Sequence, residues 1–460
     1  MKVDVCIIGG GPAGSTLALR LAQLGHKVCV VEREGFPREH MGESLSPGIW
    51  TQLDMLGARE AVDAMGFTPC REITLHWYGA NPERRDQSQQ PGLLVDRGRF
   101  DHLLLRMAQA HGVHVLQPAS LTACERQGEG WRLTVNGRVV ETTLLADASG
   151  GGVVLRGPRR LNGPRTLAIS AYWQGASLAK APRIEAGREA WFWAVPLPNG
   201  TTNAMAFVDT AYFRARRTGS IAQEYDRLIA QSGLVAGCAD ARKCHGVQVC
   251  DATPSVSLDA ISSKHIKVGG AALVIDPLSS SGVQKAMQTA LSGAIAVNTV
   301  LRRPGDAAQA VSFYQANILA SAERHRRWAA EFYQTAAAHN PTAFWHARAA
   351  APEAPSAAAP PDLGPGLHAR AVKLSPHIRW VDVPCIMGEF VETRAGLLHP
   401  GLEQPAAFFA GHELAPLLRA APMGATTPLA LARQWSAVIP ERTALGLTGW
   451  LLGLGALMPC

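Results

Sequence analysis

Apolar residues recur along this chain with two different periods, and the change from one to the other divides it. At the amino end Val3–Ile8 is a short β-branched run, followed by the turn signal GGGPAG. Ala13, Leu17, Ala18, Leu21 and Leu24 then recur at helical spacing before a second apolar run, Val28–Val31. The order predicts strand, tight turn, helix, strand. Downstream, VDRGRFDHLLLRMAQAHGVHVL predicts a turn into an amphipathic helix that ends at Gly112, then a strand, and TTLLADASG predicts another strand. Between about Thr166 and Val256 the runs TLAISAYWQG, AWFWAVPLP and NAMAFVD alternate and are rich in aromatic and β-branched residues, which predicts antiparallel strands of a second domain. The first pattern returns in HIKVGGAALVIDPLSSSGVQKAMQTALSGAIAVNTVL as a strand, a loop and a long apolar helix.

These patterns predict an α/β protein. Residues 1–67, 95–163 and 257–346 form a discontinuous Rossmann-like domain, and residues 68–94 and 164–256 form a β-sheet domain that covers the substrate. An Ala/Pro-rich linker spans 347–366, and 367–460 form a small mixed domain.

Gly9, Gly11 and Gly14 make the pattern G-x-G-x-x-G between the two strands, with Pro12 and Ala13 inside it. The first glycine allows a tight turn, the second lets backbone approach a pyrophosphate, and the third lets helix pack on strand. The helix start supplies N–H groups and the positive end of a dipole to phosphates. Glu32 closes the second strand, where a carboxylate can accept hydrogen bonds from ribose hydroxyls. Such a unit takes NAD or FAD.

Composition narrows the classes. The chain has 460 residues, of which 47% are hydrophobic, enough for a full core. A net charge of +7 spread without basic runs argues against nucleic acid and leaves room for an acidic partner. The nine cysteines have irregular spacing, and those at Cys6 and Cys29 fall within apolar runs, which fits a reducing compartment. The start MKVDVC enters a strand directly without an export signal, so a cytoplasmic location is expected. The apolar tail Ala444–Met458 is shorter than the roughly 20 residues of a membrane span and carries four glycines, which predicts a helix packed on the protein body. Cys238, Cys244 and Cys250 with His245 lack the knuckle spacing of zinc sites, so no metal is expected. His76, His245 and His265 stand alone in the sequence and are read as structural.

The pairing of GGGPAGS with FPREHMGESL, VDRGRFD, LLADASG and GGAALVIDPLSSSGV, in that order, resembles the FAD-dependent monooxygenase and halogenase superfamily (group A flavoprotein monooxygenases) over about Val3–Arg348. The resemblance implies a GR2-type FAD domain in which Arg33, Ser44, Arg97, Asp276, Ser281, Gly282 and Val283 join the glycine turn and Glu32 at the cofactor. It sets Arg97 on the flavin side and passes the Asp276–Val283 loop beneath the isoalloxazine. The superfamily's Gly-Asp pair appears here as Gly269-Gly270.

Within the superfamily, DPLSSSGV and WFWAVP resemble the halogenase-like branch. The lysine that guides hypohalous acid in halogenases is replaced: GFTPCREITLHWYG has Cys70 followed by Arg71. Ser279 stands where indole-directed members carry a glutamate. Arginine stays protonated and does not replace that lysine. The resemblance then implies oxygen transfer to an electron-rich ring through a flavin C4a-hydroperoxide, which needs O2 and demands no protein acid or base, so no catalytic residue is named. Lacking a second G-x-G-x-x-G unit, the chain is expected to receive electrons from transient NAD(P)H or from a separate flavin reductase. The stretch EFYQTAAAHNPTAFWHARA and the long tail resemble flavoproteins that hydroxylate a tryptophan of a partner polypeptide in tryptophylquinone biogenesis. Alternatives are a monooxygenase of a small phenol, indole or polyketide, a halogenase with a displaced lysine, and a reductase of the geranylgeranyl type.

Overall fold

Lys2–Ile8 pairs in parallel with Val28–Val31 on one side and with Arg138–Asp147 on the other. His114–Leu116 extends this sheet beyond Val28–Val31, and His265–Lys267 adds in parallel to Arg138–Asp147. An antiparallel hairpin, Leu121–Gln127 and Gly130–Val135, completes it. The helices Pro12–Gln23, Arg97–Ala110 and Gly282–Arg302 pack together over the parallel part. The central strands read as continuous apolar runs because their middle residues are buried on both faces. The computed structural model describes all residues except 39, 40, 42, 78–80, 176, 177, 179, 217, 218, 235–239, 351–370 and 423.

The second sheet is built on Thr166–Gln174, Thr201–Asp209, Ala190–Pro196 and Arg183–Ala186, with Glu72–His76 and Glu83–Asp86 at one edge. Alternation along one strand sorts its residues between two cores. Trp191, Trp193 and Val195 join one cluster, and Ala190, Phe192 and Ala194 join the other. The long helix Ala307–His339 and the short helix Ala343–Ala349 cover the tryptophan face with Ala329, Tyr333, Ala336, Phe344 and Trp345. The stretch EFYQTAAAHNPTAFWHARA is therefore a helical cover on the sheet.

By contact density the chain splits into two units, Met1–Ala351 and Pro352–Cys460. Boundaries drawn at residues 68 and 94 fall within a small sheet in which Gly92–Leu94 pairs with both Ser44–Leu45 and Thr68–Cys70. The first three residues of the expected linker are helical and Ala350 follows them as the C-cap, while 351–366 lie outside the described residues, as does Cys238. The second unit has a long hairpin, Arg379–Met387 with Phe390–Leu398, and a Val372–Leu374 strand paired with Leu457–Pro459. Three helices, Leu414–Arg419, Pro428–Trp435 and Glu441–Gly453, close its core. Among the described residues no helix is long and apolar enough to cross a membrane.

Candidate active site

The glycine turn is as tight as its sequence implies. Gly9 has φ +106°, in the region that side chains rarely adopt, and a Cβ on Gly14 would strike the carbonyl oxygen of Gly9. At Gly11, by contrast, a Cβ would meet only the Arg38 guanidinium, at 3.3 Å. The helix that starts at Pro12 has no side-chain cap on its free N–H groups. Glu32 is buried, accepts from Gly10 N at 2.6 Å and from Glu34 N at 2.8 Å, and so fixes the turn as well as facing it.

Arg38 extends this cradle. Its guanidinium lies 3.5 Å from Glu32 and 3.8 Å from Asp101, and its Nε is buried without a hydrogen-bond partner among the described residues. Asp101 is fully buried and takes a two-pronged hydrogen bond from Arg97, at 3.0 and 3.1 Å. Arg97 Nη1 donates in turn to the carbonyl of Met41 at 2.7 Å. A continuous polar chain thus runs Glu32, Arg38, Asp101, Arg97, Met41, from the glycine turn to the loop before Ser44. Arg38 lies in the FPREHMGESL motif but was not among the expected site residues; its contacts depend on chain folding back from Asp101.

The loop between Asp276 and Val283 meets the segment at Ser44. Ser280, at φ +49°, sends its hydroxyl to the Ser44 carbonyl at 3.3 Å, joining two expected site segments. Ser281 precedes the helix Gly282–Arg302, and Gly282 presents an open face with nothing within 4 Å of a Cβ. Arg33 is not drawn in: its side chain is exposed and pairs with Glu34. Asp276 Oδ1 accepts from Leu278 N at 3.0 Å and from the Tyr333 hydroxyl at 2.9 Å. It is both an Asp-Pro turn former and the end of a buried polar contact. Burial pushes the Asp276 carboxyl up, and burial followed by the Asp276 charge pushes the Tyr333 phenol up. Burial lowers the neighbouring Arg348 guanidinium, which donates to Phe344 O at 3.2 Å and Thr166 Oγ1 at 2.9 Å.

On the sheet side, Trp191 stacks on Phe207 with centroids 3.7 Å apart, and both tryptophans sit inside the aromatic cluster. Cys70, which the sequence resemblance sets at the halogenase lysine, is buried, and burial pushes its thiol up to about 11. Arg71 beside it is exposed. Ser279 hydroxyl is held within its own loop by the Asp276 carbonyl at 3.1 Å. Among the described residues no cluster of His, Cys, Asp and Glu is placed to hold a metal.

Comparison with known proteins agrees with this geometry. A family profile described as tryptophan halogenase matches residues 80–362, and one described as FAD binding domain matches residues 2–147. A tryptophan 2-halogenase of Chondromyces crocatus is 31% identical over 377 residues, 76% of this chain and 72% of that protein. The chain belongs to the tryptophan halogenase family. It is accordingly an oxidoreductase of the FAD-dependent halogenase and monooxygenase superfamily. The flavin-dependent halogenase CmlS superposes with a TM-score of 0.83 over 100% of this chain and 96% of its own at 22% identity, which shows the shared fold. The peptidyl tryptophan dihydroxylase QhpG, essential for tryptophylquinone cofactor biogenesis, superposes with a TM-score of 0.74 at 25% identity, covering 99% of this chain and 100% of QhpG.

The residues present fit FAD. The uncapped helix start after the glycine turn, with the Arg38 guanidinium 3.3 Å from where a Gly11 Cβ would begin, is the kind of donor set a pyrophosphate needs. At Gly270 a Cβ would meet Gly150 backbone at 3.1 Å, so this chain has little room for the superfamily's aspartate there.

Proposed function

We propose that this protein is an FAD-dependent monooxygenase that hydroxylates an electron-rich aromatic ring, and that the ring is a tryptophan side chain of a partner polypeptide. The reading is carried by Cys70, the residue that the sequence resemblance sets at the halogenase lysine: its thiol is buried, whereas a halogenase needs an ammonium that reaches its substrate. Likeness to a peptidyl tryptophan dihydroxylase over nearly the whole chain supports the polypeptide substrate.

In this reading Gly9, Gly11, Pro12, Ala13 and Gly14 receive the pyrophosphate with Arg38, and Glu32 accepts from the ribose. Arg97, through Asp101 and the Met41 carbonyl, holds the loop that leads to Ser44. Asp276, Ser281, Gly282 and Val283 form the wall next to the ring system. Bound FAD, reduced by NAD(P)H or by a separate reductase, supplies oxygen activated from O2. The protein's part is to hold the aromatic ring close and keep water out, which the Trp191, Trp193 and Trp345 cluster does on the sheet side.

The test is incubation of the FAD-loaded protein and an electron donor with a tryptophan-bearing acidic polypeptide. The reading expects that polypeptide to gain oxygen. An unchanged polypeptide mass, alongside oxidation of a free aromatic metabolite, moves the substrate to the small-molecule class. The second reading is a halogenase with a lysine drawn from elsewhere, favoured by the 31% identity to a tryptophan 2-halogenase.

A further inference from the structure

Two arginines and one aspartate, Arg326, Arg348 and Asp276, line a cavity of about 240 Å³. Pro164, Pro254 and Ala330 give it apolar surface as well. A cavity of roughly 150 Å³ accommodates benzene, so this one has room for a small organic group and far more than one water needs. Asp276 also begins the loop that runs to Gly282, so an occupant would lie against that loop.

The charges of this lining do not balance. Arg348 is only 4% exposed, yet its hydrogen bonds go to neutral acceptors, Phe344 O at 3.2 Å and Thr166 Oγ1 at 2.9 Å. Among the described residues no carboxylate lies within ion-pair distance of it, and Asp276 and Asp209 act on it only from farther away. A guanidinium carries five N–H groups, so donors remain for a ligand. Asp276 neutralises it poorly, because burial pushes that carboxyl up and its Oδ1 already accepts from Leu278 N and Tyr333. Arg326 pairs with Glu323 at 3.1 Å. His325, which also lines the cavity, is pushed down to about 4 by burial and then by Lys285 and Arg324, so near pH 7 it adds a hydrogen-bonding ring and no charge. Lys285 bonds only to neutral Gln288, and the exposed Arg324 has no ion pair among the described residues. Uncompensated positive charge therefore extends from the buried Arg348 toward the surface at Arg324. A buried cation without a counter-charge is destabilising, and an anion beside it removes the imbalance.

We propose that this cavity is an anion site in which a carboxylate pairs with Arg348 while the carbon atoms that bear it lie along Pro164, Pro254 and Ala330. The carboxylate belongs either to an acidic side chain of a polypeptide or to a free organic acid. Trp191, Trp193 and Trp345 do not line the cavity, so the carboxylate is a point of recognition separate from the aromatic cluster. The site is independent of whether a ring gains oxygen or bromine.

The experiment is calorimetric titration of the full-length, FAD-loaded protein with cyclohexanecarboxylate and no electron donor, which reads binding without turnover. Saturable binding is expected, and the uncharged cyclohexanecarboxamide should bind about tenfold more weakly or worse, because the charge-assisted pair is gone. Ala347→Trp, at an exposed lining position, should weaken carboxylate binding by about tenfold or more. Arg348→Met should do the same where its melting curve shows a folded protein. Arg132→Met, which removes a charge from the strand Gly130–Val135 of the first sheet, should leave binding unchanged. Two peptides blocked at both ends, one with a central glutamate and one with glutamine, separate the sources. Displacement of the probe by the glutamate peptide alone assigns the carboxylate to a polypeptide, and displacement by neither assigns it to a free acid. The proposal is overturned if no saturable binding occurs, if the amide binds as well as the acid, or if the glutamine peptide displaces as well as the glutamate one. It is overturned equally if Ala347→Trp binds as the parent does, or if Arg132→Met weakens binding as much as Ala347→Trp. If no product gains oxygen while these binding results hold, the proposed reaction falls and the anion site stands.

Discussion

Gly270 abuts Gly150: a side chain at 270 would start 3.1 Å from the Gly150 Cα. The replacement of the superfamily's aspartate is thus matched by a one-turn helix, Gly150–Gly152, packed where that side chain would begin. Gly270→Asp, which restores the family residue, should lower thermal stability by about 1–3 kcal/mol through overpacking, with no gain in FAD retained through purification. Tighter FAD binding at unchanged stability would show that the Gly150 turn yields.

Arg38 joins the glycine turn to the Asp101–Arg97 pair. Arg38→Met keeps much of the packing over Phe36 but removes the charge and the donors. Loss of charge-assisted hydrogen bonds of about 1.5–3 kcal/mol predicts FAD affinity falling by roughly tenfold to a hundredfold. Flavin fluorescence titration measures it. An unaltered affinity would remove Arg38 from the cradle.

His325 gives a pH signature. Its folded value near 4 lies below the ordinary value of about 6.5, so between the two the unfolded chain binds a proton that the folded chain does not. This contribution is complete above about pH 6.5 and is lost as pH falls toward 4. Melting temperatures of the parent and His325→Gln, followed from about pH 7.5 down to 4.5, should converge as the parent loses this share. Parallel curves would mean that the ring protonates freely.

Cys70→Lys restores the residue type that halogenases use, but on a buried strand. Desolvating an ammonium there should cost on the order of several kcal/mol, visible as a lower melting temperature, and should not create bromination. A brominated product from this variant would show that Cys70 borders the reaction path.

The parts of the site that were legible in the sequence are the local ones. Gly9, Gly11, Gly14 and Glu32 lie within one strand–turn–helix–strand unit, whose spacing alone dictates how they meet. The alternation in AWFWAVP likewise separates Trp191 and Trp193 from Phe192 and Ala194. What the sequence did not display are meetings across distance. Tyr333 reaches Asp276 from the middle of a 33-residue helix, and Arg38 reaches Asp101 from the far side of a loop. No periodicity encodes such pairs, because each depends on where two separately predictable elements dock. Tyr333 did lie in a stretch singled out by resemblance; its partner was the missing half. The Ala/Pro-rich signal also overran its start, since Ala347–Ala349 continue a helix anchored by Phe344 and Trp345.

The central claim is oxygen transfer by a protein of halogenase ancestry. It is tested most directly by product mass spectrometry of the FAD-loaded protein with an electron donor, a tryptophan-bearing polypeptide, air and excess bromide in one reaction. The account predicts an indole ring that has gained oxygen and no bromine. A product bearing bromine, with no oxygenated species, would contradict it.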